Sequence, residues 1–217
     1  VKGVVMDSPV LDLRQLHDPR IPDTSLEALG KPAERRALRY ANPADREEFM
    51  AGRVALLYFA ASLLDVDPTR LVPDYRCPRC GPGQDHGRPG FMLDGGPAPL
   101  ALSASRASGW VLLAGVVHAP EELRLGVDLE STGKATFEGF DGVALTAAEK
   151  RFLSSIPDQE RDSQRARLWA RKEAWLKMTG EGLRRNPAGL DVLDLPGLRD
   201  VTERALPDGL VAALALG

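Results

Sequence analysis

The sequence predicts an α+β chain of two pseudo-symmetric lobes, each a small, mainly antiparallel sheet packed with a long helix. Three observations predict it. Two segments, 45–64 and 158–179, are long and helical in character, while the apolar stretches at 110–117 and 123–130 are short and bounded by turn residues. The two halves also echo one another: each runs strand, loops, long helix with an aromatic, then a pair of strands. Phe49-Met-Ala-Gly-Arg53 lies over Trp169-Ala-Arg-Lys-Glu173, aromatic on aromatic. The lobes are expected at 1–120 and 121–217, and clefts between lobes are common ligand sites.

Each element has its own signal. Residues 1–6 suit a short strand; Pro19, Pro22, Gly30 and Pro32 then punctuate a loop-rich region with one short helix. Pro43 and Asp45 open the first long helix, with acids in its first turn where the helix dipole favours them. Its later part is apolar nearly all round, so it belongs inside the fold. Residues 76–99 read as a Gly/Pro-rich linker. Strands are expected at 100–102 and 110–117, joined by a turn over 103–109. Strict alternation over 123–130 puts Leu123, Leu125, Val127 and Leu129 on one face and Asp128 and Glu130 side by side on the other. Thr146-Ala-Ala-Glu149 is a capping box opening a short helix that Pro157 ends. No Gly or Pro interrupts 158–179, and Gly180 offers a C-cap. Two closing strands are expected at 188–195 and 209–216.

With 217 residues, 43% of them hydrophobic, the chain can bury a real core. A net charge of −3 argues against nucleic acid as the main partner. No run is long enough for a membrane span, and residues 1–6 lack a signal-peptide core, so the expectation is a cytoplasmic protein. Two cysteines make no disulfide framework. A basic run from Arg161 to Arg185 is either a solvated helix face or a landing surface for an acidic ligand or protein.

Three constellations could carry chemistry. On the second long helix Trp169, Lys172, Glu173 and Leu176 share a face, and a carboxylate on such a stripe needs a cation; Lys177, one turn on, is one candidate. If the 123–130 strand faces that helix, Asp128, Glu130 and Glu173 converge. Three convergent carboxylates call for a cation, and oxygen-only ligation favours Mg²⁺ or Mn²⁺ over zinc. The alternative leaves Asp128 and Glu130 exposed and Glu173 in an ordinary ion pair. Second, Cys77-Pro-Arg-Cys80 near His86 invites a zinc reading, but no second cysteine pair completes four ligands, so reduced thiols bracing a loop are expected. Third, Arg88 sits in a Pro-stiffened loop where it could meet a phosphate. Ser103 and Ser105 show no relation to any histidine, which argues against a serine hydrolase.

Gly126-Val-Asp-Leu-Glu130 and Trp169-Ala-Arg-Lys-Glu-Ala-Trp-Leu-Lys177, in this order and at this separation, resemble the motifs of the large, surfactin-synthetase-type 4'-phosphopantetheinyl transferases. His86-Gly-Arg-Pro89 is similar to that family's Gly-Lys/Arg-Pro loop, and Leu102-Ser-Ala-Ser105 to its Ser-His-Ser segment. The helix from Asp45 through Arg53 also resembles the family's N-terminal helix. The resemblance covers roughly residues 40 to 215. It implies transfer of the phosphopantetheine arm of coenzyme A to a serine of an acidic acyl or peptidyl carrier protein, releasing 3',5'-ADP. It further implies Mg²⁺ held by Asp128, Glu130 and Glu173, with Glu173 as general base and Lys177 stabilising the pyrophosphate. Arg53, Arg88, Ser103, Lys172 and Lys177 would contact coenzyme A. A two-lobed monomer is implied, and the synthase that supplies the carrier is not. Ala104 stands where the family commonly has His between the serines, so that one phosphate contact is missing or supplied elsewhere. A non-catalytic regulator that binds coenzyme A or carrier protein is the alternative.

Overall fold

A computed structural model describes residues 8–17, 29–77, 79–81 and 85–217, with Leu183 described by its backbone alone. The strand expected at 1–6 and the turns at Pro19 and Pro22 lie outside these residues. The chain is α+β and divides into two compact units. One takes the chain up to Ala104 and again Gly109–Leu123; the other takes Ser105–Ser108 and Arg124–Gly217.

In the first unit β1 (Val10–Gln15) pairs antiparallel with β6 (Trp110–Val117), in a sheet ordered β1-β6-β5 with β5 at Leu100–Ala107. Helix α1 (Gly30–Ala37) precedes α2 (Pro43–Leu64), whose N-terminus is capped by the Asn42 side chain accepting from Ala44 N at 3.0 Å. Val54, Leu56, Phe59 and Ala60 of α2 share a core with Leu102, Val111 and Leu113 of the sheet. Helix and sheet come close: a Cβ on Gly115 would stand 2.4 Å from Leu63 Cδ1.

Two expectations fail here. Strand β5 does not stop at Leu102 but runs through Ser103 to Ala107. Ser108 and Gly109, both at positive φ, make a two-residue turn where a seven-residue one was expected. The Gly/Pro-rich stretch is not a linker throughout, because β2 (Leu71–Pro73), β3 (Phe91–Leu93) and β4 (Gly96–Pro97) form a small antiparallel sheet. Asp94 and Gly95, both with positive φ, turn that second hairpin.

The second unit is organised on β7 (Leu125–Ser131), β9 (Leu210–Leu216) and β8 (Leu198–Asp200), antiparallel and ordered β7-β9-β8. Helix α3 (Phe140–Ala144) and α4 (Ala147–Ser154) lead into α5 (Asp158–Thr179), which packs across the sheet. Helix α5 has the bounds expected of an unbroken segment and ends on Gly180 at φ 76. The Thr146/Glu149 capping box forms as read. Residues 188–195 make no strand; a short 3₁₀ turn at Pro187–Gly189 and extended chain replace it. On β7 both faces are covered. Leu125, Val127 and Leu129 are buried, and on the other face Gly126 lies against α5: a Cβ there would meet Ala174 O at 2.0 Å and Met178 N at 2.7 Å.

Candidate active site

Alternation along β7 carries Asp128 and Glu130 onto the face that Gly126 brings under α5. Asp128 is 3% exposed and Glu130 is largely covered, so neither is the open surface acid that a two-sided strand would allow. From α5, Lys177 reaches back: its Nζ donates to Asp128 Oδ1 at 2.6 Å, to Ser105 Oγ at 2.9 Å and to Val127 O at 3.1 Å. Ser105 Oγ in turn donates to Asp128 Oδ1 at 2.7 Å. Asp128, Ser105 and Lys177 thus close a triangle in which the ammonium meets a charge, a hydroxyl and a carbonyl. The sequence offered Glu173 as a neighbour for Lys177; the lysine's hydrogen bonds go to Asp128 instead.

Two carboxylate oxygens stay without a hydrogen bond. Asp128 Oδ2 and Glu130 Oε2 are both buried, and the nearest cation to the latter, Lys134 Nζ, is 4.0 Å away. A buried charged oxygen without a partner costs free energy, and the titration of its neighbours registers it. Burial first, then the Asp128 charge, push the Glu130 carboxyl up to about 7, with Glu173 adding to the rise and Lys134 and Lys177 opposing it. Glu173 is raised too, by burial and then by Asp128, against the pull of Lys177. Glu130 therefore feels both other acids, and Glu173 feels Asp128. Oxygen donors short of positive charge fit a hard divalent cation of the Mg²⁺ type. Their oxygens do not close to one another within 4.8 Å here; among the described residues only Cys77, Cys80 and His86 do so. Lys177 draws Asp128 to itself.

Beside Glu130 lies a pocket of about 290 Å³, walled by Ala135, Phe137, Phe140, Val143 and Trp169. Phe140 stands edge-on to Trp169 at 5.8 Å and to Phe137 at 5.4 Å, and Phe137 and Val143 are exposed. The pocket is apolar with Glu130 and Lys134 at its margin, suited to an uncharged chain carrying a polar end.

Other residues singled out in the sequence are placed differently. Lys172 is wholly enclosed: its Nζ pairs with Glu149 at 2.8 Å and donates to Pro187 O at 2.9 Å and to Leu190 O. That ammonium has no open side for a phosphate, so the expectation of a coenzyme contact is corrected. Arg53, in the first unit, gives its fork to Asp85, at 2.9 Å from Nη2 and 3.2 Å from Nε to the carboxylate. Its guanidinium also lies 4.0 Å from the Tyr75 ring centroid. Ser103 is buried on β5, and Arg88 is fixed by a two-way backbone bridge to Arg76. The basic run is largely neutralised within its own unit: Arg165 pairs with Asp141 and Asp162, and Arg167 and Arg171 share Asp200. Sequence reasoning gave Ser105 no role. The signals for it were its place in the Leu102-Ser-Ala-Ser105 segment and its spacing of two from Ser103, which on a strand puts both on one face.

Comparison with known proteins bears on this second unit. Residues 124–207 match the model of the 4'-phosphopantetheinyl transferase superfamily. The matched stretch holds Asp128, Glu130, Glu173 and Lys177. Over 153 residues the chain is 29% identical to the 4'-phosphopantetheinyl transferase HetI of Nostoc sp., which covers 68% of this chain and 58% of that protein. It is also 29% identical over 154 residues to the slr0495 protein of Synechocystis sp., named provisionally for the same activity, covering 68% of this chain and 55% of that one. The match thus spans little more than half the length of these relatives. No helix among the described residues is long and apolar enough to cross a membrane.

Proposed function

We propose that this chain is a 4'-phosphopantetheinyl transferase of the surfactin-synthetase type. It moves the phosphopantetheine arm of coenzyme A onto a serine of an acyl or peptidyl carrier protein and releases 3',5'-ADP. The observation that carries this is the pair of buried carboxylate oxygens on Asp128 and Glu130 that accept no hydrogen bond, beside Lys177 and within the stretch that matches the superfamily.

Asp128, Glu130 and Glu173 are the residues that would hold Mg²⁺, which when bound neutralises the coenzyme A pyrophosphate. Glu173 takes the proton of the carrier serine, whose oxygen bonds to the pantetheine-side phosphorus as the bond to 3',5'-ADP breaks. Lys177 bears charge developing on the leaving group. The apolar pocket beside Glu130 suits the uncharged pantetheine arm. In the first unit Arg88 and Ser103 are retained as coenzyme A contacts, while Arg53 acts by holding Asp85. The enzyme works as a cytoplasmic monomer, and nucleic acid and membrane are not its partners.

The test is incubation with coenzyme A, Mg²⁺ and an apo carrier protein, followed by intact-mass measurement of the carrier. A gain of one phosphopantetheine that EDTA blocks supports the transferase. Tight coenzyme A binding with no gain on any carrier overturns it in favour of the non-catalytic regulator, the reading that Ala104 favours.

A further inference from the structure

We infer that Cys77, Cys80 and His86 of the first unit form a binding site for a zinc ion. Their ligand atoms, two sulfurs and a ring nitrogen, all lie within 4.8 Å of one another, a proximity that no other group of acids, cysteines or histidines reaches among the described residues. Tetrahedral zinc with metal–sulfur bonds of about 2.3 Å holds two sulfurs about 3.8 Å apart, so small side-chain rotations close the set. Neither cysteine is in a disulfide.

Three backbone features put the ligands together. Gly81, at φ +74, donates its N–H to Cys77 O at 3.0 Å, which curls the chain so that the two cysteines flank one turn. Arg76 and Arg88 exchange backbone hydrogen bonds of 3.0 and 2.9 Å, closing the loop that contains all three ligands. Gly87, at φ +92, then lies directly on the other arm of that loop. A Cβ there would stand 2.4 Å from Arg76 O and 2.8 Å from Cys77 Cα, so only glycine lets His86 come beside Cys77.

The chemistry of the set selects the ion. Thiolates with an imidazole suit zinc and discriminate against the hard Mg²⁺ expected at carboxylates. Binding would release the two thiol protons, leaving an ion of charge +2 neutralised by two thiolates. Asp85, next to His86, is no fourth ligand, because its carboxylate is taken by Arg53 and its carbonyl by Arg53 and Arg36. The fourth position falls to water. Cys80 and His86 are exposed, so the ion can enter from solvent. Its effect would be to pin the loop that carries Arg88. The inference stands apart from the transferase reading, since it rests on other residues.

The test uses the whole chain, reduced, incubated with zinc in excess Mg²⁺ and desalted, with metal counted by mass spectrometry. About one zinc per chain is expected, falling to near zero in Cys77→Ser/Cys80→Ser and by at least tenfold in affinity in His86→Ala. Cobalt bound to the unaltered chain should give thiolate-to-metal charge-transfer absorption, a readout that does not depend on any variant folding. No retained zinc, equal zinc in the double cysteine variant, an unchanged affinity in His86→Ala, or cobalt spectra without a thiolate band would each overturn the site.

Discussion

Lys172 and Glu149 meet at 2.8 Å, and solvent reaches neither side chain. Glu149 also accepts from Thr146 N at 2.8 Å and Val192 N at 2.9 Å, so one carboxylate ties the start of α4, the middle of α5 and the chain after Pro187. Lys172→Ala would strand that charge in the interior, at a cost of about 3–5 kcal/mol, whereas Glu149→Gln/Lys172→Met should recover most of it. Urea unfolding measures both. A wild-type midpoint in Lys172→Ala, coupled to a raised KM for coenzyme A, would restore the contact role that the sequence suggested.

Glu173 and Lys177 should separate by what they cost. Glu173→Gln removes a proton acceptor whose ionised form the fold disfavours, so kcat should drop by about 10²–10⁴ with no loss of thermal stability. Lys177→Ala should lower kcat as well, and additionally weaken the fold by roughly 1–3 kcal/mol because Asp128 loses its counter-charge. Transfer assays and melting curves on the same preparations distinguish the two. Near-normal turnover in Glu173→Gln would discard its role as base.

Glu130 gives a pH dependence with a definite sign. Its carboxyl is held up at about 7 in the fold against 4.5 ordinarily, so the folded state binds the proton more tightly than the unfolded chain does. The stability it contributes is complete below about 4.5 and is lost as pH rises through about 7. Chelated protein should therefore melt progressively lower across that window relative to Glu130→Gln, which lacks the titration. Added Mg²⁺ should shrink the difference at the alkaline end. Parallel melting profiles for the two proteins would refute the assignment.

Ser105 tests the triangle. Ser105→Ala leaves the 2.6 Å pair between Lys177 and Asp128 but removes the hydroxyl that touches both. A loss of about 1 kcal/mol is expected, seen as a roughly fivefold fall in kcat/KM, far short of that for Glu173→Gln. A drop as deep as that of Glu173→Gln would place Ser105 among the reacting groups.

Helix α5 was legible to the residue, because nothing between Asp158 and Thr179 interrupts it and Gly180 stops it. The acids of β7 were legible as neighbours from period two alone. Strand β5 was not: Ser103 to Gly109 has the composition of a turn, and only the pairing with β6 keeps most of it extended. The fate of long cations was hidden for a different reason. Lys172 and Arg53 found acids, Glu149 and Asp85, that lie distant in sequence, and periodicity says nothing of such meetings. Cys77, Cys80 and His86 were countable but not placeable, since their convergence depends on a backbone approach at Gly87.

Gly126 has a consequence beyond its own position. With no side chain there, α5 can settle onto β7 at backbone distance, and that depth is the gauge that sets how near Glu173 stands to Asp128. One methyl group would act as a shim, lifting the helix and opening the space between acids that the substitution never touches. Two short motifs far apart in the chain are thus calibrated against each other by an atom that is missing.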